Sequence, residues 1–560
     1  MDINMVKNGI VSKKRINNND YYYYQYYDNG NRKYKSISYN DAIDISIKLN
    51  TLNVDDNFYN YEFKTDTLIG SSLYENTKNI SSYKKRYCYK DIDNYLNNDT
   101  YGKVLILYGL RRTGKTTLIM QSIADMSLKD LVKSAYIKVK PSNTFDELDK
   151  DLKHLIKYGF KYIFIDEITL LDDFISSSAT LSDIYALNAK IILSGTDSLG
   201  FMVAKRNELF DRNIMIHTTY ISYKEFCEVL GVNSIDYYIE YGGVMSKEGI
   251  DYNNVILKGQ NYVNEYVDSA IATNISHSLK NYEDGSHFSS LYDLFKRGEL
   301  TNIINRIVED TNNRFVIETI NNEFKSHDLG SLKDLIRKNK NEELRENFLG
   351  SHFEEITNSL MESLEIINKK YETNYVENNV LVEIKEYLKL LDLIDSYKIV
   401  NIVSMAEENR DIFIQPGLRY NQAKQLIDVL LKQENIIQLN ISDKELLKQK
   451  LISDIKGKMI EQIIVYQTSK EYDAFKLLFP IGEYDMVVLD HKTHEADIYE
   501  IKYSTLINES HYRFLIDKDM NKQFENKYYK IRNRIVLYNG QNKSIDNIKY
   551  QNISEYLLNL

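Results

Sequence analysis

The segment that most constrains this chain is Gly109-Leu110-Arg111-Arg112-Thr113-Gly114-Lys115-Thr116. It fits the pattern G-x-x-x-x-G-K-[ST] and lies between an apolar run, Val104 to Tyr108, and a helix-periodic stretch, Lys115 to Met126. A buried strand, a glycine-bearing loop and a helix N-terminus in that order gather backbone N–H groups and a partial positive charge at one point, which suits a phosphate. Lys115 is expected to reach the terminal phosphates and the Thr116 hydroxyl to ligate Mg²⁺, with Gly109, Arg112, Thr113, Gly114 and Thr117 completing the cradle. Such a loop needs a parallel sheet behind it, and the sequence offers one. Short apolar runs at Ala135 to Val139, Tyr162 to Ile165, Ile191 to Leu193 and Ile214 to His217 alternate with helical patterns, the longest opened by the capping box Thr144 to Glu147.

The run Tyr162 to Ile165 ends in Asp166-Glu167. An aspartate at that strand end holds Mg²⁺ through its water shell, and the glutamate after it orients and polarises an attacking water. ATP and Mg²⁺ are therefore the expected cofactors, with Lys115 and Glu167 as catalytic groups and Thr116 and Asp166 as the metal pair. The strand Ile191 to Leu193 runs into Ser194-Gly195-Thr196, where a γ-phosphate sensor would lie; Thr196 and Ser194 are both candidates. Arg212 is either an arginine finger toward a neighbouring subunit in a homo-oligomer or half of a surface ion pair.

A chain of 560 residues has room for several domains at about 150 residues each. Its net charge of −10 excludes a general electrostatic wrapper for nucleic acid, so any such contact must be a local basic patch. Apolar runs are strand-sized, short of the roughly 20 residues that span a bilayer. With no secretory pattern at Met1 to Asn4 and only two cysteines, the expected location is the cytoplasm. Residues 1–80 are rich in Asn, Tyr and Lys and read as a loosely structured polar leader with a short helix near Tyr39 to Leu49. Because the chain holds 47 tyrosines, the cluster Tyr21 to Tyr24 reads as compositional bias rather than a base-stacking platform.

Past Gly243 the pattern turns helical. Val380 to Tyr397 reads as an amphipathic helix, and Lys398 to Ser404 and Asp411 to Ile414 as strands. A second α/β pattern follows from about residue 445. Asp485 opens one apolar strand, and Glu500-Ile501-Lys502 lies on the next, so the period of two puts Asp485, Glu500 and Lys502 on one face. This is the D…E-x-K arrangement of PD-(D/E)xK nucleases: two carboxylates hold a divalent ion while the lysine orients the nucleophile. Glu461, on the helix before, is expected to join the metal site with Asp485 and Glu500. Lys518, Lys522, Lys527, Lys530, Arg532 and Arg534 make this end locally basic, which suits either a phosphate backbone or a solvated helix face.

The loop, the Ile165-Asp166-Glu167 strand end, Ser194 to Leu199, Thr219 to Phe226 and Tyr241-Gly242-Gly243 together resemble the prokaryotic AAA+-like ATPases of the archaeal-ATPase kind. That resemblance covers residues 85 to 250 well and the C-terminus in part. It implies an α/β fold of a P-loop ATPase domain with a parallel sheet (81–245), a helical region with a winged helix (246–440) and a restriction-endonuclease-like domain (445–560); it does not cover the leader (1–80). Two functions are compatible with it. One is an ATPase that drives a nuclease-like domain acting on DNA or RNA; the other is a nucleotide-operated switch whose nuclease-like domain only binds.

Overall fold

The computed structural model describes residues 9–28, 31–54, 57–100, 102–196, 200–201, 204, 209, 211–245, 288–325, 360, 362, 378–433, 436 and 441–560. They fall into two compact units, one holding the described residues up to Thr219 together with Phe288 and Ser289, the other those from Tyr220 to Met245 and from Ser290 onward.

The first unit begins with three antiparallel strands, β1 (Gly9–Ile16), β2 (Asn19–Asp28) and β3 (Asn31–Ile37), followed by helix α1 (Tyr39–Leu52). The expected loose leader is thus an ordered sheet and helix. The physical reason lies in tyrosine itself, whose ring buries like a hydrophobe. Tyr24 and Ile45 are buried against each other, with Val11, Tyr26 and Ile37 packed around them. Ser38 caps α1 by accepting from the Asp41 N–H.

The leader also supplies β4 (Asp66–Ile69), the antiparallel edge of a six-stranded sheet. Helix α2 (Tyr89–Asn97) leads into β5 (Val104–Tyr108), then α3 (Lys115–Ala124), β6 (Ser134–Lys138), α4 (Phe145–Lys157), β7 (Tyr162–Asp166), β8 (Lys190–Gly195) and β9 (Asn213–His217). The order across the sheet is β4-β6-β7-β8-β5-β9, and every pairing other than β4 with β6 is parallel. Strands covered by helices on both faces carry continuous apolar runs, and Val104 to Leu107 and Ile163 to Ile165 are fully buried. A boundary between residues 80 and 81 therefore has no counterpart in this unit.

In the second unit, α5 (Leu300–Lys325) and α6 (Asn378–Leu390) precede a hairpin of β10 (Ile394–Asn401) and β11 (Glu407–Phe413). The helix expected over Val380 to Tyr397 stops early. Asp392 takes a left-handed φ of 52°, and Ile394 to Val400 pair antiparallel with Phe413 to Glu407, which makes the rest a strand. Then come α7 (Pro416–Leu430), the 31-residue α8 (Ile441–Glu471), β12 (Asp473–Leu478), β13 (Glu483–Asp490), β14 (Glu495–Lys502), α9 (Lys518–Lys527), β15 (Lys530–Tyr538), β16 (Lys543–Ile545) and β17 (Ile548–Asn552).

The hairpin β10–β11 is not a separate wing. β10 pairs in parallel with β12 through Ile399 to Asn401, and Val400 packs with Phe475 and Leu477 in one core. One eight-stranded sheet, β11-β10-β12-β13-β14-β15-β17-β16, results, so a boundary near residue 440 has no counterpart either. Much of the expected helical region 246–440 lies outside the described residues.

Candidate functional site

The loop between β5 and α3 is held in shape from behind. Gly109, Arg112 and Gly114 take positive φ values of 138°, 68° and 92°. A Cβ on Gly109 would come within 2.6 Å of Thr219 Oγ1 and 2.8 Å of Thr218 Oγ1, so only glycine fits. Thr219 Oγ1 accepts from the Leu110 N–H at 3.0 Å, and the Thr113 and Thr218 hydroxyls share a hydrogen bond of 2.7 Å. The buried Arg86 donates to the carbonyls of Thr113 (2.7 Å) and Thr218 (2.5 Å). Arg86, Thr218 and Thr219 were not legible as parts of the site, because their role is set by strand β9 lying beside β5.

Inside the loop, the Lys115 ammonium donates to the carbonyls of Gly109 (2.9 Å) and Leu110 (2.8 Å). Burial lowers its pKa to about 8, against the opposing pull of Glu167 and Asp166. Neutral carbonyls compensate a buried cation poorly, so this group is suited to receive an anion.

β7 and β5 are not neighbours; β8 lies between them. The Thr116 hydroxyl nonetheless donates to Asp166 Oδ2 at 2.8 Å, and so does the Tyr136 hydroxyl of β6, also at 2.8 Å. From the intervening strand, the Ser194 hydroxyl donates to Asp166 Oδ1 and accepts from the Glu167 N–H at 3.4 Å. Of the two sensor candidates, Ser194 thus touches both acids' backbone or side chain, while Thr196 is buried just past the strand end. Glu167 sits in the left-handed region at φ 59°, an uncommon place for a non-glycine residue and one often found at functional sites. Burial pushes its carboxyl above the usual range, with Lys115 opposing and Asp166 adding to the rise. Thr117 is half-buried one residue further along α3. Arg212 pairs with Asp183 at 2.5 Å.

Mg²⁺ fits this donor set: a hydroxyl and a carboxylate 2.8 Å apart at a helix N-terminus, with a lysine and a loop of N–H groups beside them.

The second cluster lies on α8, β12, β13 and β14. Asp485 Oδ2 accepts from the Ile501 N–H at 2.8 Å, and Lys502 Nζ lies 2.8 Å from Glu500 Oε2 and 3.6 Å from Asp485 Oδ2. Asp485, Glu500 and Lys502 are thereby brought together. Glu461 reaches the same region but bonds to lysines, at 2.6 Å from both Lys458 and Lys476. Among the described residues, Glu461, Glu483 and Asp485 share one potential cation position, with ligand atoms within 4.8 Å of one another. Glu483 belongs to that group, while Glu500 lies beside Asp485 and Lys502.

At its centre is Lys476, only 3% exposed, at 2.6 Å from Glu461, 2.5 Å from Glu483 and 3.6 Å from Asp485. Burial would lower its pKa, but Glu461, Asp485 and Glu483 hold it well above the ordinary lysine value. Glu500 moves the other way: burial, then the Asp485 charge, raises it well above the carboxylate range. Lys476 was not singled out from the sequence. Its signal was a lone charge in the apolar strand Ala474-Phe475-Lys476-Leu477-Leu478, and such a lysine is buried only when paired. The expected basic surface is partly consumed internally, since Arg532 binds Asp497 at 2.7 Å and Arg534 Nε donates to the Leu515 carbonyl at 3.0 Å.

Residues 101–227 match the family model described as AAA domain. No curated protein matches the chain by sequence. Among solved structures, it is similar to a Walker-type ATPase of Pyrococcus abyssi (12% identity, 62% of this chain and 97% of that one, TM-score 0.29). The Orc1 protein of Aeropyrum pernix in complex with DNA matches at 12% identity over 63% of this chain and 96% of that one, with a TM-score of 0.22. The Hsp104:casein complex of S. cerevisiae matches at 16% identity over 38% and 40%, with a TM-score of 0.24. No helix among the described residues is long and apolar enough to cross a membrane.

Proposed function

We propose that this chain binds ATP with Mg²⁺ on the loop Gly109 to Thr117, hydrolyses it with Glu167, and couples hydrolysis to a nuclease-like centre of Asp485, Glu500 and Lys502 that acts on nucleic acid. The observation that carries the first half is the 2.8 Å contact between Thr116 and Asp166 across an intervening strand, with Lys115 and Glu167 beside it. Thr116 and Asp166 would hold the ion, which when bound neutralises phosphate oxygens. Lys115 exchanges its two carbonyl partners for phosphate oxygens. Ser194 fixes the Asp166 carboxylate and the Glu167 backbone at once, so the Glu167 side chain is aimed by its neighbour strand. Glu167 then orients a water and takes up its proton.

For the second half, support comes from the convergence of Asp485, Glu500 and Lys502 on adjacent strands of one sheet. One observation favours the alternative, a nucleotide-operated switch with a binding-only C-terminal centre: Lys476 already stands among Glu461, Glu483 and Asp485, where a divalent ion would go.

The deciding experiment measures phosphate release and strand cleavage on the purified protein with Mg²⁺, with and without ATP, on single-stranded and duplex DNA and RNA. Phosphate release surviving Glu167→Gln would sink the ATPase assignment. Cleavage that disappears in Lys502→Ala supports the nuclease reading; no cleavage of any substrate by the wild type hands the C-terminal centre to the switch.

A further inference from the structure

The strand sequence Asn19 to Asp28 carries six tyrosines, and the sheet separates them by face. Tyr22, Tyr24 and Tyr26 turn inward, toward α1: Tyr24 is buried, its ring stacks on Tyr26 at 5.1 Å, and Tyr22 meets Tyr39 at 5.0 Å. The period of two then sends Tyr21, Tyr23 and Tyr27 to the other face. Register adds to that face from both sides. Lys14 stands opposite Tyr21, Arg32 opposite Tyr27, and Tyr34 opposite Gln25. These side chains are open to solvent in the described structure, Tyr27 at 70% and Tyr34 at 57%. Nothing in the cores of this unit requires them there.

We propose that this outer face of β1, β2 and β3 binds single-stranded DNA, with bases stacked on its tyrosines and phosphates met by Lys14 and Arg32. Three observations carry it. The rings are exposed on a three-stranded sheet whose other face packs at its centre through Val11, Tyr24, Tyr26 and Ile37, so stacking orders little that is not already ordered. Of the six lysines and arginines in the three strands, Lys14 and Arg32 share this face, while both aspartates lie on the other, so within a chain of net charge −10 the face is a locally positive surface. Of the six, Lys13 and Lys33 are drawn to Asp20 and Asp28 at 2.6 and 2.5 Å, while Lys14 and Arg32 have no carboxylate partner among the described residues.

Single strands fit because their bases are free to stack, whereas a duplex offers the face only its phosphates. DNA is the assigned strand because the polar groups at the centre of the face are already used. Gln25 donates to the Ser12 hydroxyl at 2.7 Å and accepts from Arg32 at 2.6 Å, leaving that network committed to itself rather than to a 2′-hydroxyl. The surface is separate from the C-terminal centre and does not depend on that centre cleaving anything.

The test is fluorescence anisotropy on the full chain in EDTA with labelled oligo-dT of about twelve nucleotides, oligo-U of the same length, and the corresponding duplex. Oligo-dT is expected to bind tightest. The double variant Tyr27→Ala, Tyr34→Ala should weaken binding on the order of tenfold or more, since a stacked ring contributes at least about fivefold. Tyr27→Phe with Tyr34→Phe should restore it, because the ring stacks and the hydroxyl does not. Lys14→Gln with Arg32→Gln should lower the slope of log affinity against log salt by roughly 1.4, about 0.7 for each phosphate contact on a single strand, a readout that tyrosine replacement leaves alone. All four positions are on the exposed face, so melting midpoints should match the wild type. Unchanged affinity in the alanine pair, failure of the phenylalanine pair to rescue, or tighter binding of the duplex or of oligo-U would each overturn the proposal.

Discussion

Two buried lysines, Lys115 and Lys476, do opposite things. Both are at most 6% exposed, yet Lys115 rests on two carbonyls and has its pKa lowered to about 8, while Lys476 stands among three carboxylates and has its pKa raised. The first is a cation whose compensation is incomplete. The second is already compensated. A buried charge without an ionic partner is held for a ligand; one with its partners in place is held for the fold, and removing it leaves the partners stranded.

The largest effect that would break this contrast is catalytic. Glu167→Gln is expected to slow phosphate release on the order of a hundred- to ten-thousandfold while ATP still binds, and Lys115→Ala should lose binding itself. Calorimetry showing wild-type affinity in Lys115→Ala would remove the first half of the comparison.

Next in size is stability. Lys476→Met should destabilise the second unit by roughly 3–5 kcal/mol, because Glu461, Glu483 and Asp485 then repel in a dry site. Lys115→Met should leave the denaturation midpoint nearly unchanged or raise it, since a poorly compensated charge is removed. Equal effects of the two substitutions in denaturant titrations would erase the distinction.

A third expectation concerns pH. The imidazole of His217 stacks on Tyr108 at 4.2 Å, and burial, then Lys115 and Arg86, lowers its pKa to about 3. The unfolded chain takes up this proton near pH ~6.5 and the folded one does not. Stability is therefore greatest above that value and is lost as pH falls toward about 3, by about 3 kcal/mol near pH ~4. His217→Phe, which keeps the ring contact, should flatten this part of the profile; an unchanged profile would show that the ring is already solvated.

The smallest effect is the metal's. Because Lys476 occupies the carboxylate cluster, saturating Mn²⁺ should raise the melting midpoint by no more than about 1 kcal/mol equivalent, and Asp485→Ala with Glu500→Ala should abolish even that while leaving ATP turnover intact. A large Mn²⁺ stabilisation of the wild type would mean that Lys476 yields readily and would favour the metal-dependent nuclease over the switch.

Much of the first site could be read from the chain because its parts are contiguous. Gly109 to Thr117 form loop and helix start within one turn of each other, and Asp166-Glu167 end a strand whose apolar run is visible without any partner, so local spacing decides where these groups point. Strand β5 was placed to the residue for the same reason. What lay beyond reach was which strands become neighbours. Sequence spacing does not say that β8 separates β7 from β5, and hence that Ser194 joins Thr116 and Tyr136 in bonding Asp166; nor that β9 sets Thr218 and Thr219 behind the loop.

The C-terminal centre divides along the same line. The period of two along β13 and β14 was enough to put Asp485, Glu500 and Lys502 on one face, because a strand's side-chain direction is a local property. Glu483, two residues before Asp485 on β13, shares that face by the same period, but Lys476 enters the centre only through the pairing of β12 with β13 and the packing of α8 across them, contacts between segments that no local pattern encodes. The leader shows the same division most plainly: its tyrosines look like bias in one dimension, and only their pairing into a sheet sorts them into a buried face and an open one. Composition and periodicity act through neighbouring residues; burial, and with it the choice between a ligand-seeking and a structural charge, is decided by elements that meet across the fold.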